Sequence, residues 1–473
     1  MKVIKNYLYN AFYQVFILIV PLITTPYLAR VLGPKGVGIN SYTNSIIQYF
    51  ILFGSIGVSL YGNRQIAFVR DDRKQMTETF YEIFFMRMVT ILLACIAFGI
   101  FLFFVNEYQI YYLAQAVSII AAAFDISWFF MGVENFAVTV FRNLLIKIIT
   151  LISIFMFVKS YNDLTIYILI LSLSLLIGNL TLFPSLHRYI DKPVFANMHI
   201  WIHLGPSLVL FVPQIATQIY LVLNKTMLGS MTSVQAAGYF DQSDKMVKMV
   251  LAIVTATGTV MLPHVANAFA KGEHSKTKDY LYGSFSFVTA VSVPMTIGLA
   301  IIAPKFVPLF FSSKFNAVIP VMMIESIVIL LIAWSNAIGT QYLLPTKQVK
   351  FYTTSVILGA IVNLVANIPL IAMYGAVGAA IATVLSELTV TLYQLISVGK
   401  QISYSRLFDD FFKYIVAGIV MGISVGVCEY FFKNNWLLLI IEVMFGVLIY
   451  TICLLILKTK IMLKLKEILN LKN

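Results

Sequence analysis

Residues 88–105 read MVTILLACIAFGIFLFFV, an unbroken run with no charged side chain. A bilayer core about 30 Å thick is crossed by roughly 20 helical residues. Followed outward, the run starts at Phe80 and takes in Arg87, so residues 80–105 form one expected transmembrane helix. A barrel strand would alternate apolar and polar residues over about ten positions. This run is continuous, which selects the helix.

Thirteen further segments read the same way: 8–32, 40–66, 108–132, 143–158, 164–186, 204–229, 238–263, 281–303, 317–340, 351–373, 376–398, 411–431 and 436–457. No connection between them exceeds roughly twenty residues, which leaves no room for a soluble domain. Hydrophobic residues make up 60% of the 473-residue chain and charged residues 11%, and mean hydropathy is +0.90. Soluble domains are about a quarter charged. The expected fold class is therefore all-α integral membrane, with about fourteen transmembrane helices. Lys2 and Lys5 precede an apolar run too long for a signal-peptide core, so that run is read as a retained first span.

Lysine and arginine in the loops give the expected orientation. With the N-terminus inside, 21 of the 33 basic residues fall in cytoplasmic segments and five, Lys35, Lys159, Lys305, Lys314 and Lys433, in outer loops. Both termini are then cytoplasmic, and the tail from Lys458 lies on the inner leaflet as an amphipathic helix. The net charge of +13 reads as a topology signal rather than as a nucleic-acid surface. Cys95, Cys428 and Cys453 sit in apolar stretches and imply neither a disulfide nor a metal site. No phosphate-cradling glycine loop and no His-Glu-x-x-His motif occurs, and no cofactor or metal is expected. His199 and His203 flank Trp201 and read as an interfacial helix in preference to a zinc site.

Two matches suggest an internal repeat. Val20-Pro21-Leu22-Ile23-Thr24-Thr25 in the first span resembles Val212-Pro213-Gln214-Ile215-Ala216-Thr217 in the seventh. Ile126, Trp128 and Gly132 in the fourth are echoed by Ile332, Trp334 and Gly339 in the tenth. The offset of six spans preserves orientation and predicts parallel repeats.

Seven bases lie within spans: Arg30, Arg64, Arg87, Lys147, Lys225, Lys245 and Lys248. A central base costs on the order of 2.5–3.5 kcal/mol even on the lenient insertion scale. Arg30, Arg64, Lys147 and Lys225 are near enough to span ends to snorkel, whereas Arg87 and Lys248 are deep. Asp241, Asp244, Lys245 and Lys248 share one helical face, either as two i,i+4 ion pairs or as a charged wall on a wet cavity. Asp125, Glu325 and Glu387 are buried acids, each either a partner for a base or a candidate ion-coupling group. Glu387, nearest mid-bilayer, leads that set. Asn40, Asn44 and Gln48 repeat every four residues, and Gln214, Gln218 and Lys225 share a face, as helix glue or as a hydrated lining. Asn363 and Asn367 pair on the eleventh span, and Gly375, Gly378, Ala379, Ala380 and Ala382 read as close helix packing.

Pro26-Tyr27-Leu28-Ala29-Arg30-Val31-Leu32-Gly33-Pro34 with Gly36 and Gly38 resembles the first-helix signature of bacterial oligosaccharide flippases, the Wzx type of polysaccharide exporter. Phe124-Asp125-Ile126-Ser127-Trp128-Phe129-Phe130-Met131-Gly132-Val133-Glu134 resembles that family's fourth-helix motif. Val158-Lys159-Ser160 with Asp163, Ala237-Gly238-Tyr239-Phe240, Leu262-Pro263 and Gln341-Tyr342-Leu343-Leu344-Pro345 look like its further markers. The resemblance implies membership of the multidrug/oligosaccharidyl-lipid/polysaccharide exporter superfamily. It implies two six-helix bundles around a central cavity, here 1–190 and 191–400, with two extra helices and a basic tail in 401–473. Asp241 and Asp244 depart from the small and apolar residues usual after the Gly-Tyr of the eighth span.

The resemblance further implies a task and partners. The task is moving undecaprenyl-pyrophosphate-linked oligosaccharide from the inner to the outer leaflet of the bacterial cytoplasmic membrane by alternating access, for capsule, O-antigen or exopolysaccharide. The partners are that lipid-linked oligosaccharide, membrane lipids, and a polysaccharide polymerase with other export components. On this expectation Arg30, Arg64, Arg87 and Lys248 bind the pyrophosphate, and Asn44, Gln48, Gln214 and Gln218 contact the glycan. Three rivals stand beside it. A cation-coupled drug exporter would have an acidic cavity, and a membrane polymerase would have a large outer loop. A peptidoglycan-precursor flippase would differ in cargo alone.

Overall fold

The computed structural model describes residues 2–195, 198–431, 435–463 and 466. Side chains are described from Ile19 onward except at 136, 212–214, 216–217, 219–221, 259–260 and 429–431. Among the described residues every regular element is a helix. The chain forms two compact units, Met1–Gly238 and Tyr239–Asn473.

In the first unit, α1 (Lys2–Ser55) is broken at Gly33, with φ 66° and ψ 179°. That backbone region is essentially restricted to glycine. Pro34 follows and cannot donate a helical hydrogen bond. Val20 and Gln48 nevertheless line one cavity, although an unbroken helix would hold them about 42 Å apart. The two arms of α1 therefore fold back against each other. A second break, with positive φ at Ile56 and Gly57, separates α2 (Val58–Val69). The next helix, α3 (Arg73–Phe104), starts at Asp72, whose carboxylate accepts from Lys74 N at 2.9 Å and Gln75 N at 3.1 Å, as an N-cap should. It is followed by α4 (Gln109–Ala123), α5 (Ser127–Gly132), α6 (Phe136–Phe157) and α7 (Leu164–Leu180). Trp128 is fully buried and stacks on Phe80 with ring centroids 5.6 Å apart, pinning α5 to α3.

The seventh span, α8 (Leu204–Met231), packs against α1 and α2. Ser45 and Thr226 hydroxyls meet at 2.8 Å, and Ser207 Oγ donates to Ile56 O at 2.5 Å. These contacts carry the first unit through to Gly238, inside α9 (Val234–Ala270). The expected bundle boundary lay earlier, at 190/191, because the repeat groups α8 with the second half while its packing ties it to the first.

In the second unit, after the rest of α9, come α10 (His274–Phe310), α11 (Val318–Glu325), α12 (Ile327–Ser335), a π-helical segment Asn336–Leu343, α13 (Val349–Tyr374), α14 (Ala376–Val398), α15 (Tyr404–Leu407), α16 (Phe411–Phe431) and α17 (Trp436–Ile456). The pair α13–α14 is drawn tight at Gly378, where a Cβ would stand 1.9 Å from Leu370 O, as its run of small residues predicts. Lys305, counted above as an outer-loop charge, lies instead within α10. It is buried and paired with Glu442 of α17 at 2.7 Å, because α10 continues past the apolar run to Phe310.

Twelve described segments are long and apolar enough to cross a membrane. The first, Ile19–Val69, contains both folded arms of α1 and so supplies two crossings. At 28 residues, α8 extends about 42 Å. The helices are compatible with fourteen crossings, and the chain is a multi-pass integral membrane protein.

Candidate functional site

The polar stripe of the second span opens onto a cavity inside the first unit. The two arms of α1, with α4, α6 and α7, enclose about 430 Å³, within the range of ordinary ligand pockets. Asn40, Asn44 and Gln48 project from one face of the second arm because residues four apart superpose on a helix. Gln48 Nε2 donates to Asn44 Oδ1 at 3.4 Å. From α4, the buried Gln115 donates to Asn40 Oδ1 at 3.2 Å. Across the cavity, Thr150 Oγ1 donates to Ser174 Oγ at 2.7 Å, fixing α6 to α7.

Among the described residues, one base, Lys147 on α6, lines this space, and no carboxylate does. The contrast lies in the second unit. A cavity of about 680 Å³ there is lined by Asp279, Arg406, Asp409, Asp410 and Lys460. Its acids stand beside bases: Arg406 lies 4.0 Å from Asp279 and Lys460 contacts Asp409, while Lys413, outside the lining, lies 2.8 Å from Asp410. Among largely apolar walls, the described lining of the first unit's cavity offers amides, hydroxyls and one cation, which suits hydroxyl-rich and anionic ligands better than cations.

Of the expected glycan contacts, Asn44 and Gln48 meet here. Gln218 is exposed on α8, and the Gln214 side chain lies outside the described residues. None of the expected pyrophosphate bases lines the cavity. Arg30 is exposed on α1. Arg64 is exposed and lies over the Phe68 ring at 5.7 Å. Arg87 is 2% exposed and donates to Asp125 O at 2.9 Å. Lys248 pairs with Asp244 at 2.8 Å and Lys245 with Asp241 at 2.5 Å, so the ladder of the eighth span forms both i,i+4 ion pairs.

The acidic candidates are dispersed. Asp125 faces Arg87, and its carboxylate accepts from Ser127 Oγ at 2.6 Å. Glu325 is buried and accepts from Ser243 Oγ at 2.5 Å. Glu387 is buried on α14. Lys147 is expected to snorkel from a span end because the apolar run begins at 143. In fact α6 begins at Phe136, which moves Lys147 to mid-helix. Gln115, alone among apolar neighbours in the sequence, gave no signal.

Residues 3–269 match the family model described as polysaccharide biosynthesis protein. A protein of Escherichia coli (strain K12) named "Putative O-antigen transporter" is 23% identical over 399 residues, 83% of this chain and 96% of its own. The lipid II flippase MurJ of Bacillus subtilis (strain 168) is 23% identical over 198 residues, 39% of this chain and 35% of that one. Among solved structures, a lipid II flippase MurJ in an inward closed conformation superposes with TM-score 0.80 at 17% identity, covering 94% of this chain and 98% of that one. An outward-facing multidrug resistance MATE family transporter gives 0.53 at 10% identity, covering 81% and 94%.

Proposed function

The chain belongs to the polysaccharide biosynthesis protein family, and on that premise we propose that it carries undecaprenyl-pyrophosphate-linked oligosaccharide from the inner to the outer leaflet of the cytoplasmic membrane by alternating access. At the coarser level it is a flippase-type membrane transporter of polysaccharide biosynthesis, not an enzyme. The observation that carries the finer reading is the cavity whose described lining sets four amides and several hydroxyls among apolar side chains, with one base and no acid.

A pyrophosphate or a glycan in hydrocarbon loses its hydration, at a cost of several kcal/mol for each unsatisfied polar group and far more for a charge. Asn40, Asn44, Gln48 and Gln115 replace water at sugar hydroxyls, each amide both donating and accepting. Lys147 supplies a cation for phosphate oxygens. In this proposal the polyprenyl chain stays in lipid. Arg30, Arg64 and Lys248, exposed at their surfaces, attract the anionic headgroup before and after occupancy, while Arg87 is spent on Asp125. Glu325 and Glu387, both buried in the second unit, are the proposed coupling groups.

Cells lacking their own flippase, supplied with this chain, test the reading through two measurements: polymer at the surface and lipid-linked units retained in the membrane. Lys147→Met is expected to stop polymer and accumulate lipid-linked units at unchanged protein level, with Lys147→Arg retaining export. Native export by Lys147→Met combined with Asn44→Ala and Gln48→Ala would overturn it. Rescue of a strain depleted of its lipid II flippase would reassign the cargo to the peptidoglycan precursor.

A further inference from the structure

The larger cavity, in the second unit, has no part in the proposed transport. It lies where three helices end together. Asp279 is in the second turn of α10, Asp409 and Asp410 immediately precede α16, and Lys460 follows α17. These charges form a rim, and the floor beyond it is different. On α10 the lining continues through Phe285 and Phe287 to Thr289, ten residues or about 15 Å along the helix from Asp279. Phe287 lines the cavity and is also 45% exposed. On α16, Phe411 lines it and the next residue, Phe412, is exposed. Exposed aromatic rings on spanning helices face hydrocarbon, so the cavity joins a charged rim to the lipid side of α10 and α16.

Most of the rim charge is committed. Asp410 is buried, and its carboxylate accepts from Lys460 N at 2.6 Å and pairs with Lys413 at 2.8 Å. Lys460 Nζ contacts Asp409. Arg406 on α15 and Asp279 are left. Their side chains are 70% and 61% exposed and stand 4.0 Å apart, beyond hydrogen-bond reach. The Arg406 guanidinium instead lies over the Tyr282 ring, 5.6 Å from its centroid. That ring is itself held, because Ser403 N donates to the Tyr282 hydroxyl at 2.8 Å. One cation and one anion are thus positioned side by side at the mouth of the cavity.

That pairing selects the ligand. A bare anion would meet Asp279, and a bare cation would meet Arg406. A ligand carrying both signs gives phosphate oxygens to the guanidinium, which binds them bidentately, and an ammonium to the carboxylate. A small soluble zwitterion would leave the aromatic floor uncovered, whereas a lipid buries apolar surface there. The spacing also fits: the headgroup layer is several ångströms thick on each side of the hydrocarbon, and the floor runs on past that depth. We propose that this cavity binds one zwitterionic bilayer phospholipid, with its phosphodiester on Arg406, its ammonium on Asp279, and its upper acyl chains along Phe285, Phe287 and Phe411. The site is separate from the cavity of the first unit and independent of what is transported.

Native mass spectrometry of the purified full chain tests it, with dioleoylphosphatidylethanolamine or dioleoylphosphatidylglycerol titrated into the detergent. The two lipids share their acyl chains and phosphodiester and differ in the ammonium. One phosphatidylethanolamine is expected to be retained at about one tenth of the concentration that phosphatidylglycerol needs, the factor supplied by one charge-assisted contact. Asp279→Asn is expected to abolish that preference, and Arg406→Gln to weaken retention of both lipids several-fold. Both positions are exposed, where substitution rarely unfolds a protein. Lys276→Gln, on the same helix but outside the lining, should behave as the native chain. Soluble phosphoethanolamine at the lipid's concentration should displace nothing. Equal retention of the two lipids by the native chain, an unchanged preference in Asp279→Asn, or displacement by phosphoethanolamine would each overturn the proposal.

Discussion

Arg87 and Asp125 tie α3 to the junction between α4 and α5. One guanidinium nitrogen donates to the Asp125 main-chain carbonyl at 2.9 Å, and another lies 3.5 Å from its carboxylate. The same carboxylate accepts from Ser127 N and Oγ at 3.1 and 2.6 Å, so it also starts α5. The pair holds together two sequence signals that were read separately, a deep base and a motif acid. Removing one member of a buried pair strands the other, at a typical cost of about 3–5 kcal/mol. Arg87→Ala is expected to lower the thermal midpoint sharply in detergent. Arg87→Met combined with Asp125→Asn should recover a large part of the loss, and a double-mutant cycle reads the coupling.

Lys305 and Glu442 make the corresponding link in the second unit, between α10 and α17, at 2.7 Å with side chains 11% and 3% exposed. Tyr450 adds a hydrogen bond to Ala290 O at 2.8 Å on the same pair of helices. Glu442→Ala alone is expected to cost about 3–5 kcal/mol, while Lys305→Met with Glu442→Leu should be close to neutral, since apolar replacements of buried pairs often are. Heat-induced aggregation of detergent-solubilised variants is the check.

The helices were legible because apolar runs such as 88–105 admit one structure in a bilayer. The break at Gly33 was legible as part of a motif, although its φ of 66° was not. The bases were harder to read. Lys147 and Lys305 were placed by where the apolar runs stop, yet α6 starts at Phe136 and α10 ends at Phe310, beyond those runs. Helix ends depend on capping and packing, which hydropathy does not encode. Arg87 looked functional because its partner is 38 residues away in sequence. The hydrogen bonds of His203 with Tyr61 and Glu82 span up to 142 residues, a separation that local reading does not reach.

Gln115 positions the cavity without being charged. It is 3% exposed, and its Nε2 donates to Asn40 Oδ1 at 3.2 Å. Gln115→Leu keeps the volume but leaves Asn40 without this buried donor, worth about 1–3 kcal/mol. Polymer export is expected to fall roughly tenfold at unchanged protein level, with Gln115→Glu falling further because an acid would then face the cavity of Lys147. Surface polymer measured per mole of membrane protein decides it. Full export by Gln115→Leu would remove Asn40 and Gln115 from the site.

Gly33 tests whether the fold-back of α1 is built into the backbone. Its φ of 66° with ψ of 179° costs a side-chain-bearing residue about 1–3 kcal/mol, although a Cβ there would meet no atom within 4 Å. Gly33→Ala should therefore destabilise through conformation alone, with no clash. Gly99 is the matched control, since it lies within α3 and a Cβ there also meets nothing within 4 Å. Gly99→Ala is expected to be neutral or stabilising by up to about 1 kcal/mol, the helix-propensity difference. Thermal midpoints of the two variants in one detergent make the comparison. A Gly33→Ala midpoint equal to that of the native chain would mean that α1 does not turn at this residue.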